Sequence, residues 1–215
     1  MPATIAAPVL PLEDRRPGFA RICAALVMCG ATAFSALYFV QPLMPVFAQE
    51  FGIGVTGAGM SLSLPTIALA LGLVVTGPVS DAVGRKPVIL FSTLMTAVLL
   101  LAMAAATDWT MFLVFRTLLG LILGGITAIN LAWLAEEMAP EHLGRAVGYV
   151  LAGNSIGGMA ARLLVGTMVE TTGWRLPVAA LAGVALVSAI PARPKGACSR
   201  PASGAAMSGW PARSR

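Results

Sequence analysis

Gly77-Pro78-Val79-Ser80-Asp81-Ala82-Val83-Gly84-Arg85-Lys86-Pro87 is a short charged interruption between two long uncharged runs, Phe51–Ser80 before it and Val88–Thr107 after it. A tight turn between two apolar helices accounts for the string. Gly77 and Gly84 permit close approach or unusual backbone angles. Pro87 suits the first turn of the following helix. Asp81 ends the preceding run among cations, where it can pair with Arg85 or with a neighbouring helix N-terminus. An ordinary basic turn would need only Arg85 and Lys86. It would not need an Asp, a Gly three residues later and then Arg-Lys.

Outward from this turn the pattern repeats. Uncharged runs cover Ile22–Gln49, Phe51–Ser80, Val88–Thr107, Trp109–Ala135 (broken by Arg116), Ala146–Val169 (broken by Arg162) and Leu176–Ala192. A helix needs about 20 apolar residues to cross the hydrocarbon, so five runs reach that length and the sixth is marginal. With 58% hydrophobic and 11% charged residues, against about a quarter charged in soluble domains, the chain cannot cover a water-facing surface. The runs are rich in Gly, Ala, Ser and Thr, which let helices approach closely in lipid. The first run is too long for a signal-peptide core. The fold class predicted is therefore all-α and membrane-embedded, with six transmembrane helices.

The basic residues set an orientation. Arg15, Arg16 and Arg21 precede the first run, Arg85 and Lys86 separate the second and third, and Arg145 separates the fourth and fifth. Only Arg175 lies on the other side, so the N-terminus and the Gly77–Pro87 turn are expected in the cytoplasm. The net charge of +5 is spread between apolar runs and forms no stripe for nucleic acid. Cys23, Cys29 and Cys198 have neither metal-ligand nor disulfide-framework spacing. Three regions are expected: a cytoplasmic segment at 1–18, a helical bundle at 19–191, and an aperiodic Pro-, Ala-, Ser- and Arg-containing tail at 192–215. The tail fits a flexible cytoplasmic end or, because the apolar pattern stops within the sixth run, a frameshifted or truncated one.

The turn resembles the cytoplasmic signature of the major facilitator superfamily, Gly-x-x-x-Asp-x-x-Gly-Arg-Lys/Arg, through Gly77, Asp81, Gly84, Arg85 and Lys86, and it stands where that family carries it, between spans two and three. The resemblance covers roughly residues 19–190. It implies the N-terminal six-helix half of a transporter, folded as a 3+3 inverted repeat. It also implies that the signature residues latch onto the other six-helix half when the cytoplasmic side is closed.

Three further sites stand out. Arg116 precedes Gly120 and Gly124, and the spacing of four places all three on one helix face. A charge at depth costs about 2.5–3.5 kcal/mol, so Arg116 either faces a cavity or partner, or snorkels to the outer interface seven residues past Trp109. The resemblance to proton-driven exporters, which carry Arg-x-x-x-Gly in span four, implies a part in proton coupling. Span five carries Gly153-Asn154-Ser155-Ile156-Gly157-Gly158 and then Arg162. Gly153, Gly157 and Gly158 match the exporters' glycine string, while Asn154 stands where the drug-exporter branch has proline. The string resembles those of sugar- or drug-efflux-like bacterial members. Asn154 and Arg162 share a face. Asn154 reads as a cavity residue or as a bond to a neighbouring helix, and Arg162 as a cavity residue or an interfacial snorkel. Span one ends in Tyr38-Phe39-Val40-Gln41-Pro42, where Pro42 leaves carbonyls free. The bland reading is an aromatic belt at a broken helix end. Family analogy makes Tyr38 and Gln41 substrate candidates.

Asn130, Glu136, Glu137 and His142 lie towards the cytoplasmic end of span four and its loop. The glutamates read as solvated loop charges. No Asp or Glu lies deep in any run, so a carboxylate proton carrier would have to stand elsewhere. No phosphate loop, metal cluster or nucleophile constellation is written in the chain. The sequence thus points to no cofactor or metal and away from an ATP-driven pump or membrane enzyme. The expected function is secondary transport of a small solute, as proton-coupled efflux or antiport across a bacterial inner membrane. The expected partners are the lipid bilayer, the solute, protons, and a second six-helix half or a homodimer partner. The competing expectation is a non-transporting product of a disrupted gene.

Overall fold

The computed structural model describes residues 19–137 and 140–189. Arg15, Arg16, Cys198 and the expected 1–18 and 192–215 segments lie outside the described residues. Apart from short connections those described are helical, as backbone in an apolar solvent must be to satisfy its own hydrogen bonds. The helices are α1 (Phe19–Tyr38), α2 (Met44–Glu50), α3 (Gly54–Val83), α4 (Arg85–Ala104), α5 (Trp109–Glu137), α6 (Pro140–Thr172) and α7 (Arg175–Ser188), with a 3-10 turn at Gln41–Leu43.

The first apolar run is one crossing broken in the middle. Pro42 has no N–H for an α-helical bond and sits in the 3-10 turn, and α2 restarts with a proline in its first turn. Four segments are long and apolar enough to cross a bilayer: Cys23–Glu50, Gly54–Val83, Pro87–Ala104 and Trp109–Ala135. The fifth run is the 33-residue α6. The described part of the sixth, α7, has 14 residues and rises about 21 Å, short of the roughly 30 Å hydrocarbon thickness.

Helix α3 packs along α5, α1 along α6, and α4 against both α5 and α7. The buried core joins Leu26 and Phe39 of the first crossing to Phe112, Leu119, Leu123 and Ile126 of α5. Large apolar side chains also face outward: Ile67, Leu71 and Val74 of α3 and Ile156 and Leu163 of α6 are each at least 60% exposed. Such a surface needs lipid or another helical body against it.

The signature turn is tighter than a loop. Asp81 is in the last turn of α3, Gly84 alone links the helices, and Arg85 already opens α4. Gly84 has φ +98° and its N–H donates to the Ser80 carbonyl at 2.9 Å. This backbone geometry is open to glycine and strained for any other residue. Gly77 differs. It lies within the helix, and a Cβ there would meet nothing within 4 Å, so neither room nor backbone angle requires glycine at that position.

Candidate functional site

Arg116 is fully buried on α5. Its guanidinium does not snorkel: every nitrogen finds a backbone carbonyl on a facing helix. Nε donates to the Ser61 carbonyl at 3.0 Å, Nη1 to the Ala36 carbonyl at 2.5 Å, and Nη2 to the Leu37 carbonyl. The Phe39 ring lies 4.7 Å from the guanidinium carbon.

The sequence explains why these carbonyls are vacant. Ala36 and Leu37 occupy the last turn of α1, where helix carbonyls lack in-helix donors. Ser61 stands four residues before Pro65, which is inside α3 and has no N–H to give it. A cation at a helix C-terminus and beside a proline break is thus matched to local negative dipoles rather than to a carboxylate.

Close backbone contact brings α5 near enough for this. A Cβ on Gly120 would lie 2.6 Å from the Pro65 Cα, and one on Gly124 would lie 2.6 Å from the Gly72 carbonyl carbon. Sequence reasoning singled out Arg116 but missed Ser61 and Pro65. The available signal was a proline in the middle of an otherwise regular apolar run.

The other side of α1 meets α6. A Cβ on Gly153 would strike the Val27 side chain at 2.5 Å, and one on Gly157 would lie 2.6 Å from the Ala31 Cα. Ser35 Oγ donates to the Gly157 carbonyl at 2.7 Å. Gly158 leaves space beside the Tyr38 ring, 3.6 Å from its Cβ position. Arg162, one turn on, lies over that ring at 4.8 Å. Its Nε is sealed from solvent without a hydrogen-bond partner. The structure therefore brings Tyr38 and Arg162 together at the α1 break, with half-buried Gln41 in the adjoining turn.

Asn154 is placed differently from Arg162. It is 8% exposed, and its amide, oriented by its hydrogen bonds, donates to the Val150 carbonyl at 3.1 Å and to the Gly30 carbonyl of α1 at 3.3 Å. Asn130 of α5 donates to the Leu26 carbonyl at 3.2 Å. Both asparagines thus tie neighbouring helices to α1, the use expected of amides in lipid.

At the signature turn Asp81 and Arg85 form an ion pair at 3.7 Å, with the Asp81 side chain 72% exposed. Lys86 is in the first turn of α4.

At the opposite end lies a cluster the sequence reading did not assemble. Trp174 Nε1 donates to Glu50 at 2.7 Å, and Arg175 approaches Glu50 at 3.8 Å. Arg175 also donates to the Ala106 carbonyl at 3.1 Å and lies over the Trp174 ring at 4.6 Å. Phe47 and Phe112 meet the Trp174 ring edge-on and Phe51 meets it at a tilt, while Trp109 stacks on Phe112. This cluster fastens α2, the α4–α5 connection and α7 together.

Comparison with known proteins agrees with this architecture. The profile of the Major Facilitator Superfamily matches residues 26–206. "Inner membrane transport protein YnfM" of Escherichia coli (strain K12) is 41% identical over 174 residues, covering 81% of this chain and 42% of that protein. "Uncharacterized MFS-type transporter YybF" of Bacillus subtilis (strain 168) is 37% identical over 174 residues, 81% of this chain and 43% of that protein. An "Uncharacterized transporter" of Buchnera aphidicola subsp. Schizaphis graminum is 33% identical over 170 residues, with 79% and 41% covered. The chain spans about two fifths of the length of these relatives. With its apolar crossings and this kinship, the chain is a multi-pass membrane protein and belongs to the Major Facilitator Superfamily.

Proposed function

We propose that this chain is one helical half of a secondary transporter that exports a small solute in exchange for protons across a bacterial inner membrane. It crosses six times in a 3+3 arrangement with its N-terminus in the cytoplasm. A second six-helix half, from another chain or a second copy, closes the solute path. The observation that carries this reading is the break at the end of α1. Two guanidinium groups, Arg116 and Arg162, meet four consecutive residues there, Ala36 to Phe39. Broken helices with charged groups at membrane depth are how transporters of this kind build a site.

Each residue has a role in the reading. Tyr38, Gln41 and Arg162 face the solute, and Asn154 fixes the helix that carries Arg162. Arg116 contributes to proton coupling by holding a fixed positive charge on the α1 and α3 carbonyls. A proton that arrives on an acid of the second half changes the electrostatic balance against that charge. Gly77, Asp81, Gly84, Arg85 and Lys86 form the cytoplasmic latch. The exposed Asp81 carboxylate has lone pairs available to a donor from the second half.

The test is solute-dependent proton flux in proteoliposomes under an imposed pH gradient. It uses the chain alone and the chain reconstituted with the C-terminal half of the Escherichia coli relative. Flux in either preparation, abolished by Arg116→Ala, is the expected result. Absence of flux from both across a solute panel would sink the reading.

A further inference from the structure

The two intramembrane guanidinium groups are in unlike states. Arg116 is saturated, with all three nitrogens donating to carbonyls. Arg162 touches one aromatic ring, its Nε is buried without a partner, and among the described residues no oxygen accepts from it. The residues one turn to either side on its face are Gly158 and Gly166. The nearest atoms to their Cβ positions are 3.6 Å away, on Tyr38 and Pro42 respectively. Neither of these two positions carries a side chain to cover the guanidinium.

The ring contact and the buried Nε hold Arg162 against α1 rather than towards the helix end. Arg162 precedes the end of α6 at Thr172 by ten residues, about 15 Å along the axis. Glu170 is two turns nearer that end, exposed, and about 12 Å away along the helix.

From these observations, and resting on the transport reading above, we infer that the solute is a small organic anion whose carboxylate is taken by Arg162. The planar guanidinium fork offers paired N–H donors that match a carboxylate's two oxygens. The Tyr38 ring holds the fork in place from behind. A cationic solute would enter beside two positive charges with no carboxylate against either one among the described residues, and a neutral solute would leave the Arg162 charge unpaired. Met159, three residues before Arg162 and 56% exposed, offers an adaptable apolar surface for the body of such an anion.

The test is equilibrium binding to the purified chain in nanodiscs of zwitterionic lipid, followed by calorimetry. The probes are benzoate, succinate and gluconate, each against an uncharged or cationic counterpart: benzamide and benzylamine for benzoate, succinamide for succinate, and glucose for gluconate. At least one carboxylate is expected to bind and its counterpart to bind far more weakly. Arg162→Gln should weaken the carboxylate by about 10- to 100-fold, and Arg162→Lys should retain part of the affinity. The lysine variant also shows that any loss in the glutamine variant is not misfolding.

No carboxylate binding, equal binding of a neutral counterpart, or unchanged affinity in Arg162→Gln would overturn the inference. The assay involves no proton gradient, so the two readings fail separately. Solute-dependent proton flux without anion binding removes the anion and leaves transport standing. Anion binding without flux removes transport and leaves the site.

Discussion

Replacing Gly120 by Ala adds one methyl group where α5 crosses α3. Its carbon would stand 2.6 Å from the Pro65 Cα and 2.7 Å from the Pro65 carbonyl carbon, both backbone atoms that cannot swing aside. The Pro65 carbonyl oxygen stands nearer still, so going from 2.6 Å to the 3.4 Å at which ordinary contact begins is a displacement of at least about 0.8 Å. Arg116 is one turn away, and its Nε–Ser61 bond is 3.0 Å long. Moving α5 off α3 by that amount stretches the bond to about 3.8 Å, beyond hydrogen-bond range. Overpacking costs about 1–3 kcal/mol, and a lost hydrogen bond to a charged group about 1.5–3 kcal/mol. Because the two effects share one helix contact they do not simply add, and about 2–4 kcal/mol is expected. At this chain length that lowers a melting midpoint by about 4–16 °C. The assay is tryptophan-monitored thermal unfolding of the detergent-solubilised chain, with Gly77→Ala as the partner measurement. Gly77 is helical with open space around its Cβ position, so Ala there should be neutral or stabilising by up to about 1 kcal/mol. A Gly120→Ala protein that melts with wild type, or a Gly77→Ala protein that loses as much as Gly120→Ala, would refute the close-contact reasoning.

Four further outcomes are expected. Gly84→Ala forces an L-residue to φ +98° and should cost about 1–3 kcal/mol, read in the same melt; no loss would mean the turn relaxes freely. Glu50→Ala removes the acceptor of the Trp174 indole at 2.7 Å. It should destabilise by about 1 kcal/mol and shift tryptophan emission to the red, while Glu50→Gln, which keeps an acceptor oxygen, should do neither fully. Asp81→Asn loses an exposed i,i+4 ion pair worth about 0.5 kcal/mol or less. The chain's own melt should therefore be unmoved, while flux with a second half falls if the latch reading holds. Arg116→Lys keeps the charge but not the planar fork that reaches three carbonyls. It should lower both stability and solute-dependent proton flux, and full flux from the lysine variant would show that charge alone suffices.

The helical, lipid-embedded character was legible because composition and run length act on every residue of a span at once. The break in the first crossing was legible for a local reason, since Pro42 removes its own N–H whatever surrounds it. Gly84 could be read because a one-residue link between helices demands a special backbone angle. Gly77 shows the limit of that logic: the same residue type in the same string, with no Cβ contact to avoid. Asn154 and Arg162 share a helix face, yet one bonds α1 backbone and the other lies over Tyr38. Which outcome each residue meets depends on what α1 presents at that height, and spacing along α6 carries no record of it. The Glu50–Trp174–Arg175 cluster joins residues more than 120 positions apart, and no periodicity links them. Arg116 is the clearest case. Its depth was readable from sequence, but its acceptors depend on Pro65 having vacated the Ser61 carbonyl on another helix.

The contrast between the two buried arginines follows from the same accounting of donors and acceptors. Placing a guanidinium at membrane depth costs about 2.5–3.5 kcal/mol. Arg116 meets that cost within the chain: even at the low end, three charge-assisted bonds return about 4.5 kcal/mol. Arg162 has one cation–π contact, worth about 2 kcal/mol when desolvated, and an Nε with no acceptor. It does not reach balance by itself. A buried charge that knits the fold together should be satisfied in the empty protein. A residue that receives a ligand should be satisfied only when the ligand is present. By that criterion Arg116 carries a charge that the helices around the α1 break already satisfy, and Arg162 is the group at the break that the proposed anion would complete.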